Sequence, residues 1–245
     1  MGQWVISGLR KGIVTTCYPD RQETARGVSP GLPPASTSVT EEAGLDLEGV
    51  CPTRAIRFER GDADVDYRRC VHCFRCARST RFTLEWEPGY EWAQHSSGKA
   101  GLASWPKAFH KSMHIRVVDA GDCGACLNEV RQLNNPYYNM HRLGFFITPT
   151  PRNADILLVV GPVNDHTRLP LQITYEAMPT PKLVMAVGAC ALSAGVFGPS
   201  FVTGGGVKDV IPVDVEVPGS PPPPLAILHG LLLAVGRRPP RPSLP

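Results

Sequence analysis

The sequence predicts an α/β architecture: a mostly parallel sheet with helices on both faces, preceded by a small cysteine-rich region. Three observations carry this expectation. Between residues 112 and 236, short β-branched runs alternate with stretches that accept helical spacing, the pattern of a parallel sheet covered on both sides. Two of those runs lead into glycine-rich turns bearing cysteines, Asp119-Ala120-Gly121-Asp122-Cys123-Gly124-Ala125-Cys126 and Gly188-Ala189-Cys190. Ligands in such sheets gather at the carboxyl ends of the strands, and small residues let backbone wrap closely around a bound group. Four further cysteines, Cys51, Cys70, Cys73 and Cys76, cluster ahead of this pattern.

Composition narrows the function. An apolar fraction of 42% over 245 residues supports a substantial core in one large domain or two small ones. The formal net charge of +3 is small and evenly spread, which argues against a nucleic-acid partner. Arg68, Arg69, Arg75, Arg78 and Arg81 stand beside cysteines, where they suit a thiolate cluster as well as a phosphate. The N-terminus lacks the pattern of a signal peptide, and Leu225 to Gly236 is about half the length that spans a bilayer. A cytoplasmic chain is therefore expected, in which eight cysteines point to metal ligation more than to disulfides.

Taken in order, residues 1–40 read as an extended arm and loop, with a short strand at Ile13–Thr16 and a free thiol at Cys17. Residues 41–82 hold the first cysteine set. Residues 83–111, with Trp86, Trp92 and Trp105, read as a linker packed against a partner or between the domains. In residues 112–236 the expected strands are His114–Val118, Ile156–Val160, Leu183–Val187 and Val210–Val215. The expected helices are Leu127–Asn134, Pro170–Ala177, Ala191–Val196 and Pro224–Val235. Residues 237–245, basic and proline-rich, read as a disordered tail.

The first cysteine set is C-x2-C-x2-C at Cys70, Cys73 and Cys76, with Cys51-Pro52 upstream. Bacterial ferredoxins carry C-x2-C-x2-C-x3-C-P, in which the fourth cysteine serves the other cluster. Counting back from Cys51 finds Glu41, Gly44 and Leu47, and counting forward from Cys76 finds Thr80. All four ligands of one cluster are absent together and all four of the other remain. The segment resembles a two-cluster ferredoxin reduced to one [4Fe–4S] cluster on Cys51, Cys70, Cys73 and Cys76. Zinc is the alternative occupant of four cysteines, although zinc sites usually pair two C-x2-C arms.

The larger region carries a second resemblance. Ser112-Met113-His114-Ile115-Arg116, the Cys123/Cys126 turn, Asn135-Pro136-Tyr137-Tyr138, Pro151 to Val163, Ala186 to Ala191 and Ile211 to Gly219 are its marks. It is similar to the small subunit of membrane-bound, energy-converting [NiFe]-hydrogenases of the formate hydrogenlyase type. That family is homologous to the 20 kDa B subunit of NADH–quinone oxidoreductase. The resemblance implies a flavodoxin-like domain and an iron–sulfur cluster on Cys123, Cys126 and Cys190. It also implies a hydrogenase-type large subunit and membrane subunits as partners, with the chain peripheral at the inner face of the plasma membrane. Glu129 falls where both groups tend to carry a glutamate. The fourth ligand of the family lies in a Pro-Gly-Cys-Pro-Pro turn, and this chain has Ser220 there. Ser220 ligates a fourth iron, or that iron is labile or lost, or the cluster is absent and the fold remains as a scaffold.

The resulting expectation is an electron-transfer subunit with a cluster on each cysteine set and no complete active site of its own. A docking scaffold and a quinone-reducing module are the alternatives. The histidines His72, His110, His114 and His229 are scattered, and His229, in an apolar helix, reads as a satisfied side chain. Asp119, Asp122 and Asp155 read as turn caps.

Overall fold

The chain, as a computed structural model, is described over residues 2–12, 14–25, 27–79, 82–96 and 111–240. The expected positions at Ile13, Thr80, Arg81, Trp105, His110 and residues 241–245 lie outside these. Helix α1 (Gln3–Lys11) comes first, where an extended arm was expected. Its apolar and polar residues alternate with a helical period that is only two turns long, too short to read with assurance from sequence.

A small sheet follows, formed by β1 (Ser36–Ser38), β2 (Ile56–Glu59) and β3 (Asp62–Val65) in the order β1-β3-β2, all antiparallel. Strand β1 lies inside residues 28–40, which were expected to be loop. Helix α2 (Glu41–Val50) packs on this sheet, its N-terminus capped by the Thr40 hydroxyl, which accepts from the Ala43 N–H at 3.4 Å. Three of the four positions where a second ferredoxin cluster would take cysteines fall on this helix, at Glu41, Gly44 and Leu47. Gly44 and Leu47 serve packing, while Glu41 is exposed in the first turn. Leu47 is buried with Ile56, Ala63, Val65, Cys76 and Leu84, and the Phe58 ring lies where a Cβ on Gly44 would be 2.0 Å away.

The second sheet contains β4 (Gln94–His95), β5 (Met113–Asp119), β6 (Phe145–Ile147), β7 (Ile156–Val160), β8 (Leu183–Val187) and β9 (Val215–Val217). Their order is β4-β9-β8-β7-β5-β6, parallel throughout except for the short β4 edge. Every residue of β7 and β8 is buried, as unbroken apolar runs in a two-sided parallel sheet should be. Helices α3 (Ala125–Gln132) and α6 (Pro224–Ala234) cover one face; α4 (Asp165–Glu176) and α5 (Ala189–Ser193) cover the other.

The expected strand Val210–Val215 does not form. A 3-10 turn over Val207–Asp209 precedes it, and Pro212 has no N–H to give a ladder, so pairing with β8 is confined to Val215–Val217. Strands β4 and β6 were not expected; each is too short to show a period. Helix α4 begins ahead of the expected Pro170, because Asn164 and Thr167 form a reciprocal capping box. Helices α3 and α5 each begin two residues earlier than expected, pulled back by Gly124 and Gly188 at their N-caps.

Helix α6 is apolar on all sides and every residue of it is buried. Such a helix needs cover on its outer side as well as from the sheet. Tyr18, Leu32, Tyr90, Trp92 and Ala93 join its core cluster, so the segments before and after the small sheet wrap the larger one.

Candidate cluster-binding sites

The first cysteine set meets at the junction of α2 and the loop after β3. Cys51 is the C-cap residue of α2. Its sulfur accepts the Ala55 N–H at 3.2 Å. The loop bearing Cys70, Cys73 and Cys76 turns sharply at His72 and Phe74, whose φ angles of 51° and 60° are left-handed. The four cysteines line one pocket together with Ile56 and Trp86. Phe74 stacks on Trp86 with ring centroids 4.1 Å apart. Burial pushes the Cys70 thiol up to about 12, with smaller upward contributions from Cys76, Cys51 and Cys73; burial also raises Cys76. Buried thiols that oppose one another's ionisation suit a bound cation, which deprotonates a coordinating thiol outright.

The second set forms at the carboxyl ends of β5 and β8. Asp119 Oδ1 accepts from the N–H groups of Gly121 (3.0 Å) and Asp122 (2.7 Å), and Asp122 Oδ2 from those of Gly124 (2.9 Å) and Leu127 (3.0 Å). These bonds bend the β5–α3 turn and place Cys123 at the surface and Cys126 in the core. Asp155 likewise holds the His114 N–H at 2.7 Å. Asp119 and Asp122 cap their turn, as expected, whereas Asp155, also expected as a turn cap, holds the backbone at the start of β5.

Cys190 sits in the first turn of α5. Two glycines fit the sulfurs closely. A Cβ on Gly188 (φ 93°) would lie 2.5 Å from the Cys126 sulfur, and one on Gly195 (φ 56°) 2.7 Å from the Cys190 sulfur. The Ala189 N–H donates to Gly219 O at 2.7 Å, which draws the turn bearing half-buried Ser220 to the same strand end. Burial raises Cys126 and Cys190, and Asp122 and Cys123 add to both. Burial also raises half-buried Glu129. Past Cys190 the surface is strongly apolar: Val196, Phe197 and Phe201 are 64%, 76% and 97% exposed.

Among the described residues, no three His, Cys, Asp or Glu groups converge on one point as a single ion requires.

A packed bridge joins the two sets, and sequence reading did not find it. His72 is buried edge-on to Trp86 and Trp92, at centroid distances of 5.5 and 5.7 Å. Trp92 Nε1 donates to Pro218 O at 2.8 Å, two residues before Ser220. Arg68 Nε donates to Glu216 Oε2 at 2.7 Å, while Ser193 Oγ, on α5, donates to Arg68 O at 2.8 Å. Glu216 is 2% exposed and also accepts from Gln94 Nε2 and Ser96 Oγ, each at 3.1 Å. Arg68, expected to offset a thiolate cluster, therefore serves as a clamp between the two regions. Arg75 does line the first cavity, and Arg78 lies over the Phe74 ring at 5.7 Å. His229 is satisfied, accepting the Ala93 N–H at Nδ1 (3.1 Å) and meeting Pro239 O at Nε2 (3.0 Å).

Residues 123–234 match the family described as the 20 kDa subunit of NADH ubiquinone oxidoreductase. An uncharacterized protein of Methanocaldococcus jannaschii is 44% identical over 50% of this chain and 82% of its own length. The probable membrane-bound hydrogenase subunit mbhJ of Pyrococcus furiosus is 41% identical over 55% of this chain and 80% of its own. The chain belongs to the 20 kDa subunit family. Subunit 7 of the formate hydrogenlyase of Escherichia coli is 37% identical over 55% of this chain and 52% of its own. The matched family region contains Cys123, Cys126, Cys190 and Ser220; the first cysteine set lies outside it. The sheet of β5 to β9 and its flanking helices are the α/β fold of this family. Among the described residues, no helix is long and apolar enough to cross a membrane.

Proposed function

We propose that this 20 kDa-type subunit is an iron–sulfur electron-transfer subunit of a membrane-associated oxidoreductase complex. Cys51, Cys70, Cys73 and Cys76 hold one [4Fe–4S] cluster, and Cys123, Cys126 and Cys190 hold a second, with Ser220 as the candidate fourth ligand. The observation that carries the reading is the pairing of two thiol sets across one packed wall, Trp92 with His72 on one side and the Pro218 turn on the other. In a cubane each cysteine takes a different iron, so its ligands need not converge on one point, and the lining of one pocket by all four cysteines supports such a site. The Gly188 and Gly195 cradles leave room for the second set to be ligated. Bound clusters supply reversible one-electron chemistry at each site.

The chain's own residues do the rest. Trp86, Phe74 and Ile56 exclude water from the first cavity, the Asp119 and Asp122 turn presents Cys123 outward, and the Arg68–Glu216 pair holds the two regions in register. The exposed apolar loop beside Cys190 supports docking of a hydrogenase-type large subunit there, and membrane subunits complete the complex.

The test is iron, acid-labile sulfide and zinc on anaerobically purified protein, with electron paramagnetic resonance of the reduced sample. About eight irons and two reduced signals are expected from two cubanes. About four irons confine redox activity to the first set and make the larger domain a docking scaffold. Zinc without iron overturns the reading.

A further inference from the structure

Helix α1 takes no part in either cysteine set and buries none of its residues against the rest of the chain. Its residues are nonetheless sorted. At 3.6 residues per turn, Trp4, Val5, Ile6, Gly8 and Leu9 fall on one half of the circumference, and Gln3, Ser7, Arg10 and Lys11 on the other. Trp4 is 80% exposed and Leu9 76%. No acidic residue occurs before Asp20, so the charged side chains of this segment are all positive. The chain just after it is anchored, Thr16 N–H donating to Tyr137 O at 2.9 Å and Thr15 Oγ1 to Pro136 O at 3.1 Å. Gly12, at φ 64°, separates helix from anchor.

A nine-residue helix is marginal in water by itself, so its apolar half calls for a covering surface. The chemistry of that half and its border selects one. A tryptophan with aliphatic neighbours, edged by Arg and Lys and free of acid, is the pattern of a helix lying in the headgroup layer of an anionic bilayer. We propose that α1 docks this chain onto an anionic lipid surface. Trp4, Val5, Ile6 and Leu9 enter the acyl boundary, and Arg10 and Lys11 remain among the phosphates. At nine residues α1 is about half the length that crosses a bilayer, so it lies along the headgroup layer. Two turns bury little area, so the anchor is weak alone and acts by adding to the hold of membrane subunits. The proposal goes beyond the electron-transfer reading and does not depend on the clusters.

The test is co-sedimentation of the purified full-length chain with vesicles of phosphatidylcholine alone or mixed with phosphatidylserine. Binding to the anionic vesicles is expected, weakening as salt is raised. W4S/L9S should abolish it. R10Q/K11Q should weaken it about 30-fold, at about 1 kcal/mol for each basic residue near the surface. Circular dichroism of both variants should match wild type, because α1 supports no other part of the fold. Absence of binding to the anionic vesicles overturns the proposal and assigns the face to a protein partner. Equal binding by W4S/L9S, or indifference to lipid charge, overturns it as well.

Discussion

Replacing Gly188 by alanine tests how tightly the fold is built around the second cysteine set. The residue has a φ of 93°, and an added Cβ would stand 2.5 Å from the Cys126 sulfur. The left-handed backbone alone costs about 1–2 kcal/mol for a residue with a side chain. Forcing an extra methyl into a packed site adds about 1–3 kcal/mol. The sum, about 2–5 kcal/mol, corresponds to a fall in Tm of about 4–20 °C for a domain of this size. Relief by moving the sulfur would take Cys126 away from Cys123 and Cys190. Iron should therefore drop from about eight to about four per chain, with the signal of the first cluster retained. Gly195→Ala, whose Cβ would stand 2.7 Å from the Cys190 sulfur, should do the same. Wild-type iron content together with wild-type Tm in both variants would refute the reasoning.

Other consequences can be checked in parallel. Ser220→Cys should complete a four-thiolate set and increase the intensity and oxygen tolerance of the second signal; an unchanged spectrum removes Ser220 from the site. Leu47→Ala should cost about 2–5 kcal/mol in chemical denaturation, because Leu47 is 1% exposed in the core under the small sheet. Arg68→Ala leaves Glu216 its bonds from Gln94 and Ser96, and the Arg68 side chain is 32% exposed. The loss should therefore be about 1–2 kcal/mol, below that of a fully buried pair, and smaller when Glu216 is already Gln. His229 is held neutral by burial, which lowers its pKa. A folded pKa below the unfolded value means that the unfolded chain takes up the proton first. Stability should therefore decline as pH falls below the ordinary histidine value of about 6.5, and His229→Gln should flatten that part of the profile.

Much of the fold was legible because its signals are local. Ile156–Val160 and Leu183–Val187 are apolar without a break, so they read as two-sided strands and form as such. Pro224–Val235 read as a helix with a proline at its start, and it forms over Pro224–Ala234. Spacing pointed to Cys51, Cys70, Cys73 and Cys76, which line one pocket, and the resemblance pointed to Cys126 and Cys190, whose sulfurs lie against Gly188 and Gly195 respectively. Elements of two or three residues, such as β4, β6 and β9, were missed or misplaced. Their hydrogen bonds go to partners far along the chain, and so few residues show no period.

Sequence alone determined the family and the mostly parallel sheet, because residue identity and unbroken apolar runs carry those signals. Tertiary structure decided how the two regions are joined. Nothing near Glu216 or Trp92 in the chain announces that one clamps Arg68 and the other bridges His72 to the Pro218 turn. Their partners lie more than a hundred residues away for Trp92 to Pro218 and for Arg68 to Glu216. A buried carboxylate or indole must find a polar partner wherever the fold brings one, and only the packed chain specifies where that is.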